Sequence, residues 1–100
     1  MTSKQGGVPQ GQAIAEALDR SGKTYRKHGA TGQVIAVPNP LGRALHVVAP
    51  WGEVQSGSAD CMIADKFDPA TKKRAGQPYV IDRAEFAKSY SPIKSAWYSR

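Results

Sequence analysis

The sequence predicts a small α+β domain: an antiparallel sheet, open or curled into a partly open barrel, with an N-terminal helix and a short C-terminal helix. Three observations predict it. Apolar residues recur at helical spacing near the start, in Ala13, Ile14, Ala17 and Leu18. The middle holds short β-branched runs separated by Pro- and Gly-containing turns. Near the end, Asp82 precedes Phe86 and Tyr90, an acidic cap followed by two aromatics four apart.

Taken in order, residues 1–9 are Gly- and Gln-rich, with Val8 as the sole sizeable aliphatic, and read as a mobile arm. Gln10–Arg20 is the first helix. Its stripe is mostly alanine, so it needs the rest of the domain for stability. Glu16 and Arg20 stand four apart in the favourable order. Ser21-Gly22 ends the helix, with Gly22 suited to a left-handed cap. Lys23–His28 is a basic stretch around Tyr25. Val34, Ile35 and Val37 suit a strand over Thr31–Val37, stopped by Pro38-Asn39-Pro40.

Arg43–Ala49 is the clearest strand, with Leu45 and Val47 on one side and His46 and Val48 on the other. Pro50-Trp51-Gly52 has turn chemistry, and Glu53–Gln55 returns as the second arm of a hairpin. Cys61–Ala64 is a short apolar run that fits a central buried strand. Asp65–Gly76 reads as a polar loop, with Asp60 and Asp65 as turn residues. Gln77–Ile81 is the last expected strand and Asp82–Ser89 the second helix, with Pro92 ending the element. The expected core is Leu18, Val34, Ile35, Leu45, Val47, Ile63, Val80, Ile81, Phe86 and Tyr90. One hundred residues make a single domain, here 10–93, and 94–100 form a polar tail containing Trp97 and Tyr98.

Composition narrows the function classes. No apolar run approaches the roughly 18–20 residues of a membrane span, and the N-terminus lacks a secretory leader, so a cytoplasmic protein is expected. Cys61 stands alone, which excludes an intrachain disulfide and suits a buried, inert thiol. One Cys and the two His, His28 and His46, make a poor zinc set. Gly29-Ala30-Thr31-Gly32 lacks the Lys-Ser/Thr ending of a phosphate loop and opens a strand, so it reads as a turn. Ser56, Ser58 or Cys61 with His46 can be drawn as a catalytic group, but such sets arise by chance in many chains. The expectation is therefore no catalytic residue, no metal, no cofactor and no enzymatic activity.

The charge points to binding. Net charge is +6, and the sequence pI is near 9.7, which favours acidic partners. Arg20, Lys23, Arg26 and Lys27 flank Tyr25, and Lys72, Lys73 and Arg74 form a second cluster. Cations beside an aromatic suit phosphate contacts and base stacking, although a charged edge that discourages strand pairing has the same composition. No zinc-finger, helix-turn-helix or RNP pattern is present. Trp51, at a hairpin tip, is either an interface anchor or a ring folded back onto the sheet. The candidate binding residues are thus Trp51, Lys72, Lys73, Arg74, Tyr25, Arg26 and Lys27.

Three stretches resemble the small phage and prophage domain called the PGDYG family. Lys23-Thr24-Tyr25-Arg26-Lys27 stands where that family has a Tyr-Arg-Lys-Lys-Pro-type strand. Val54–Ala64 is similar to its hairpin and Gly-Asp-Tyr-type motif, with two residues between Gly57 and Asp60. Tyr79–Tyr90 looks like its Tyr-x-Val strand, acidic helix start and Phe-x-x-x-Tyr. The resemblance spans Lys23–Ile93. It implies a small α+β domain of phage or prophage origin and carries over no catalytic residue. With the charge, it leads to the expectation of a non-enzymatic module binding a host protein or protein–nucleic acid complex, for example as a defence-system inhibitor. The alternative is a nucleic-acid-binding protein without sequence specificity.

Overall fold

The structure, a computed structural model, describes residues 10–93; the arm at 1–9 and the tail at 94–100, with Trp97 and Tyr98, lie outside the described residues. Helix α1 spans Gln10–Ser21 and buries Ile14 and Leu18. Each of these side chains contributes about 1.5–3 kcal/mol by leaving water. The strands are β1 (Lys23–Lys27), β2 (Gln33–Pro38), β3 (Leu45–Val48), β4 (Val54–Gly57), β5 (Met62–Asp68), β6 (Lys73–Arg74) and β7 (Tyr79–Ile81). Helix α2 (Arg83–Ser89) and strand β8 (Tyr90–Pro92) complete the described chain.

The main sheet is antiparallel, with order β6-β5-β2-β1-β8, and β7 pairs with β5 beside β6. It ends in two different edges, so it is open and not a closed barrel. Strands β3 and β4 form a separate hairpin. Strand alternation divides the core in two. Ile35 and Val37 of β2 share a face with Ile63 of β5, and this face packs against Ile14 and Leu18 of α1 and Leu45 of β3. Ala36, Met62 and Ala64 point the other way and meet Phe86 of α2 and Tyr90. The two helices therefore cover opposite faces. Phe86 stacks on Tyr90 with ring centroids 4.7 Å apart and meets Tyr25 edge-on at the same distance.

Several expectations hold. The hairpin turns at Pro50-Trp51-Gly52, where Gly52 supplies a φ of 91°. Leu45 is buried while His46 and Val48 are exposed. Asp82 caps α2 by accepting from the backbone N–H of Ala84 at 3.1 Å and of Glu85 at 3.3 Å. The capping box is only half made, since the Glu85 carboxylate instead accepts from Ser89 Oγ at 2.8 Å.

Others need correction. Half of the expected loop at Asp65–Gly76 is sheet: β5 continues to Asp68, and Lys73–Arg74 returns against it as β6. Asp65 is not a turn residue. It is fully buried in β5 and accepts from Arg74 Nη1 at 3.0 Å, Gly76 N at 2.9 Å and Gln77 N at 3.3 Å. Polar residues made this segment look like a loop, yet the carboxylate is satisfied by groups brought to it in space. Gly22 does not take a left-handed cap. A Cβ there would stand 2.6 Å from Ile35 Cγ1, so glycine is required by the close approach of α1 to the sheet. Tyr90 belongs to β8, whose pairing with β1 was not anticipated. Of the expected core, Val34, Ile35, Val47, Val80 and Ile81 are only half-buried, while Ile14 and Val37 are buried; the Cys61–Ala64 run is buried as expected.

Candidate functional site

Helix α2 covers only part of its face of the sheet. Beside it, a cleft of about 390 Å³ opens over Val34, Tyr79 and Tyr90. Trp51 and Pro50 wall it from the hairpin tip, and Lys27 and Lys66 rim it. Register explains the assembly. Lys27 of β1 lies two residues from Tyr25, and Lys66 of β5 two from Ala64, so both lysines emerge on the α2 side, on either side of β2. Tyr79 of β7 pairs with Ala64, whose small side chain leaves room for its ring. No Asp or Glu lines the cleft among the described residues.

Trp51 decides the character of this site. Its ring is held at the hairpin tip by donation from Nε1 to Glu53 Oε1 at 2.9 Å, and its centroid lies 6.0 Å from that of Tyr79. It leans over the sheet and yet remains 61 % exposed. The ring thus folds back towards Tyr79 and keeps an exposed surface. The Tyr79 hydroxyl stands 3.5 Å from that of Tyr90. Burial, and then this contact, push the Tyr79 phenol well above its ordinary pKa, so it stays a neutral hydrogen-bonding group.

The expected binding residues fall in different places. Trp51 and Lys27 come together at the cleft. Tyr25 is half-buried against Phe86, which makes it core and not a stacking platform. Arg26 alternates to the α1 side of the sheet, away from the cleft. Lys72 and Lys73 are exposed at the β5–β6 turn, Lys72 with an uncommon positive φ of 59°. Arg74 turns inward and bonds Asp19 and Asp65, leaving its side chain 17 % exposed.

Lys66, Tyr79 and Tyr90 were missed as site residues. Their signal was alternation: Met62, Ala64 and Lys66 fall on one face once β5 is allowed to run past Ala64. Reading the polar residues after Ala64 as loop concealed it.

The drawn catalytic group is partly assembled. His46 Nδ1 lies 2.9 Å from Ser56 Oγ, across the β3–β4 pair on the exposed side of the hairpin. No carboxylate hydrogen-bonds to His46 among the described residues. Cys61 is buried away from this pair, and burial first, then the nearby Asp60 charge, raise its thiol pKa. Among the described residues, no helix is long and apolar enough to cross a membrane.

Comparison with known proteins extends the sequence reading. A family model described as PGDYG protein matches residues 10–91. The match takes in α1, which the three resembling stretches left out. No curated protein and no solved structure matches the chain. Covering the sheet, both helices and the hairpin, this match establishes that the chain belongs to the PGDYG family.

Proposed function

We propose that this domain is a phage- or prophage-encoded, cytoplasmic binding module that acts by stoichiometric occupancy of a host protein or protein–nucleic acid complex, without chemistry of its own. Inhibition of a defence complex is one role of this kind. The observation that carries the reading is the cleft in which exposed Trp51, half-buried Tyr79 and two exposed lysines converge. Its chemistry is that of attachment: rings supply rigid contact area, and ammonium groups attract anions. The net charge of +6 speeds encounter with an acidic partner. Lys72 and Lys73, exposed at the neighbouring turn, extend the basic surface. Arg74 contributes to the fold instead.

The test is affinity capture from a bacterial host lysate, with and without nuclease, using the native domain and the pair Trp51→Ala, Lys66→Glu. The expected result is a species retained in fixed ratio by the native domain and lost by the variant. Turnover of a small molecule by the pure protein, or equal retention by the variant, would overturn the reading. A second reading, nucleic-acid binding without sequence preference, draws on the lysines that flank the rings.

A further inference from the structure

We propose that the cleft takes a single-stranded nucleic-acid segment, one base lying on the Trp51 ring beside Tyr79 and the adjoining phosphates on Lys27 and Lys66. The inference rests on the binding-module reading and names what its cleft holds.

Four features favour this occupant. The walls are flat aromatic rings, and Trp51 is 61 % exposed, so a π-face is available without unfolding anything. Bases stack on such rings irrespective of sequence. The apolar floor has a lysine on either side of β2, as a strand crossing the sheet requires for phosphates before and after the stacked base. Among the described residues no carboxylate lines the cleft to oppose an anion, and Glu53 at the hairpin tip accepts from the Trp51 N–H.

The fourth feature separates a nucleic acid from an acidic peptide. An extended peptide gains affinity by adding to a free strand edge. This cleft lies over β2, whose two edges are already paired with β1 and β5. Its floor therefore presents side chains and no row of free backbone groups. A duplex is disfavoured as well, because its bases are stacked on one another and offer no free face to the ring.

The experiment is fluorescence anisotropy with a fluorescein-labelled homothymidine strand of roughly twelve nucleotides, within the usual range of single-strand sites. The same sequence as a duplex and an unlabelled polyglutamate competitor complete the set. The single strand should bind ahead of the duplex, and polyglutamate should compete poorly. Affinity should fall with salt at a log–log slope of about −1.4, roughly −0.7 for each of two phosphates. Trp51→Ala should weaken binding roughly ten-fold, the scale of one lost stack, and Trp51→Phe should restore most of it. Lys27→Ala with Lys66→Ala should flatten the salt slope. Arg20→Ala with Arg43→Ala removes the same charge from exposed positions outside the cleft and should leave the slope unchanged. Ultraviolet cross-linking of a bromouracil strand should map to Trp51 or Tyr79.

Equal effects of the two double variants would show diffuse attraction and overturn the inference. So would equal binding of duplex, or full displacement by polyglutamate. If the strand does not bind while lysate capture still depends on Trp51 and Lys66, the inference fails and the binding-module reading stands. If neither binds, both fail.

Discussion

Arg74 Nη1 stands 3.0 Å from Oδ2 of Asp65, whose side chain has no solvent exposure. The same guanidinium reaches Asp19 of α1 through Nε at 2.8 Å. One arginine thus ties β6 to both β5 and the helix that covers them. Removing it leaves a buried carboxylate without a countercharge, so Arg74→Ala should cost about 3–5 kcal/mol in urea denaturation. Adding Asp65→Asn to that variant should recover part of the loss, because the charge goes while an oxygen remains for Gly76 N and Gln77 N. A double-mutant cycle measures the coupling. Additive losses would show that the pair does not act as a unit.

The Asp19 contact also sets an acid dependence. Its hydrogen bond from Arg74 holds the carboxyl below the ordinary value, which is about 3.9 in an unfolded chain. A depressed carboxyl adds stability that is present above the unfolded value and lost as pH falls through the folded one. Asp19→Asn should therefore lower stability at neutral pH and flatten the profile in the acid range, where the native protein loses the same contribution. Asp19 is largely exposed, so salt should weaken the effect.

Cys61 should resist a thiol reagent in the native protein and react as the chain unfolds. The thiol is 1 % exposed and its pKa is raised by burial. The sign is opposite to that of Asp19. As pH rises through the ordinary thiol range, the unfolded chain loses its proton first, so stability declines. Rapid labelling without denaturant would show an open path to the sulfur.

Gly57 is a packing requirement. A Cβ there would lie 2.6 Å from Cys61 Sγ and 2.7 Å from Val80 Cγ1. Gly57→Ala should destabilise by about 1–3 kcal/mol through overpacking. Gly32 has nothing within 4 Å of such a Cβ and no positive φ. Gly32→Ala should be neutral or mildly stabilising. Denaturation midpoints of the two variants make the comparison, and equal shifts would contradict it.

Phe86 joins α2 to the core on its side of the sheet. It is 6 % exposed and lies between the rings of Tyr25 and Tyr90. Phe86→Ala should cost about 3–5 kcal/mol by chemical denaturation. A shift below half of that would mean that α2 holds the sheet by its cap and backbone more than by this ring.

Local chemistry determined much of this protein. The Ile14 and Leu18 stripe, the Pro50–Gly52 turn and the Asp82 cap each act within a few residues, so periodicity and turn composition were enough to place α1, the hairpin and α2. The α+β class and the family resemblance were readable on the same grounds. Tertiary structure alone decided what the polar residues do. Lys66 and Asp65 are neighbours in sequence, yet one rims a cleft and the other is buried against Arg74. Tyr90 pairs with Lys27 across 63 positions, and Trp51 meets Tyr79 across 28. Helix and turn signals depend on contacts close along the chain, which sequence spacing records. A charged or aromatic side chain takes its role from the groups that folding brings beside it, and strand register, with its two-residue alternation, determines which groups those are.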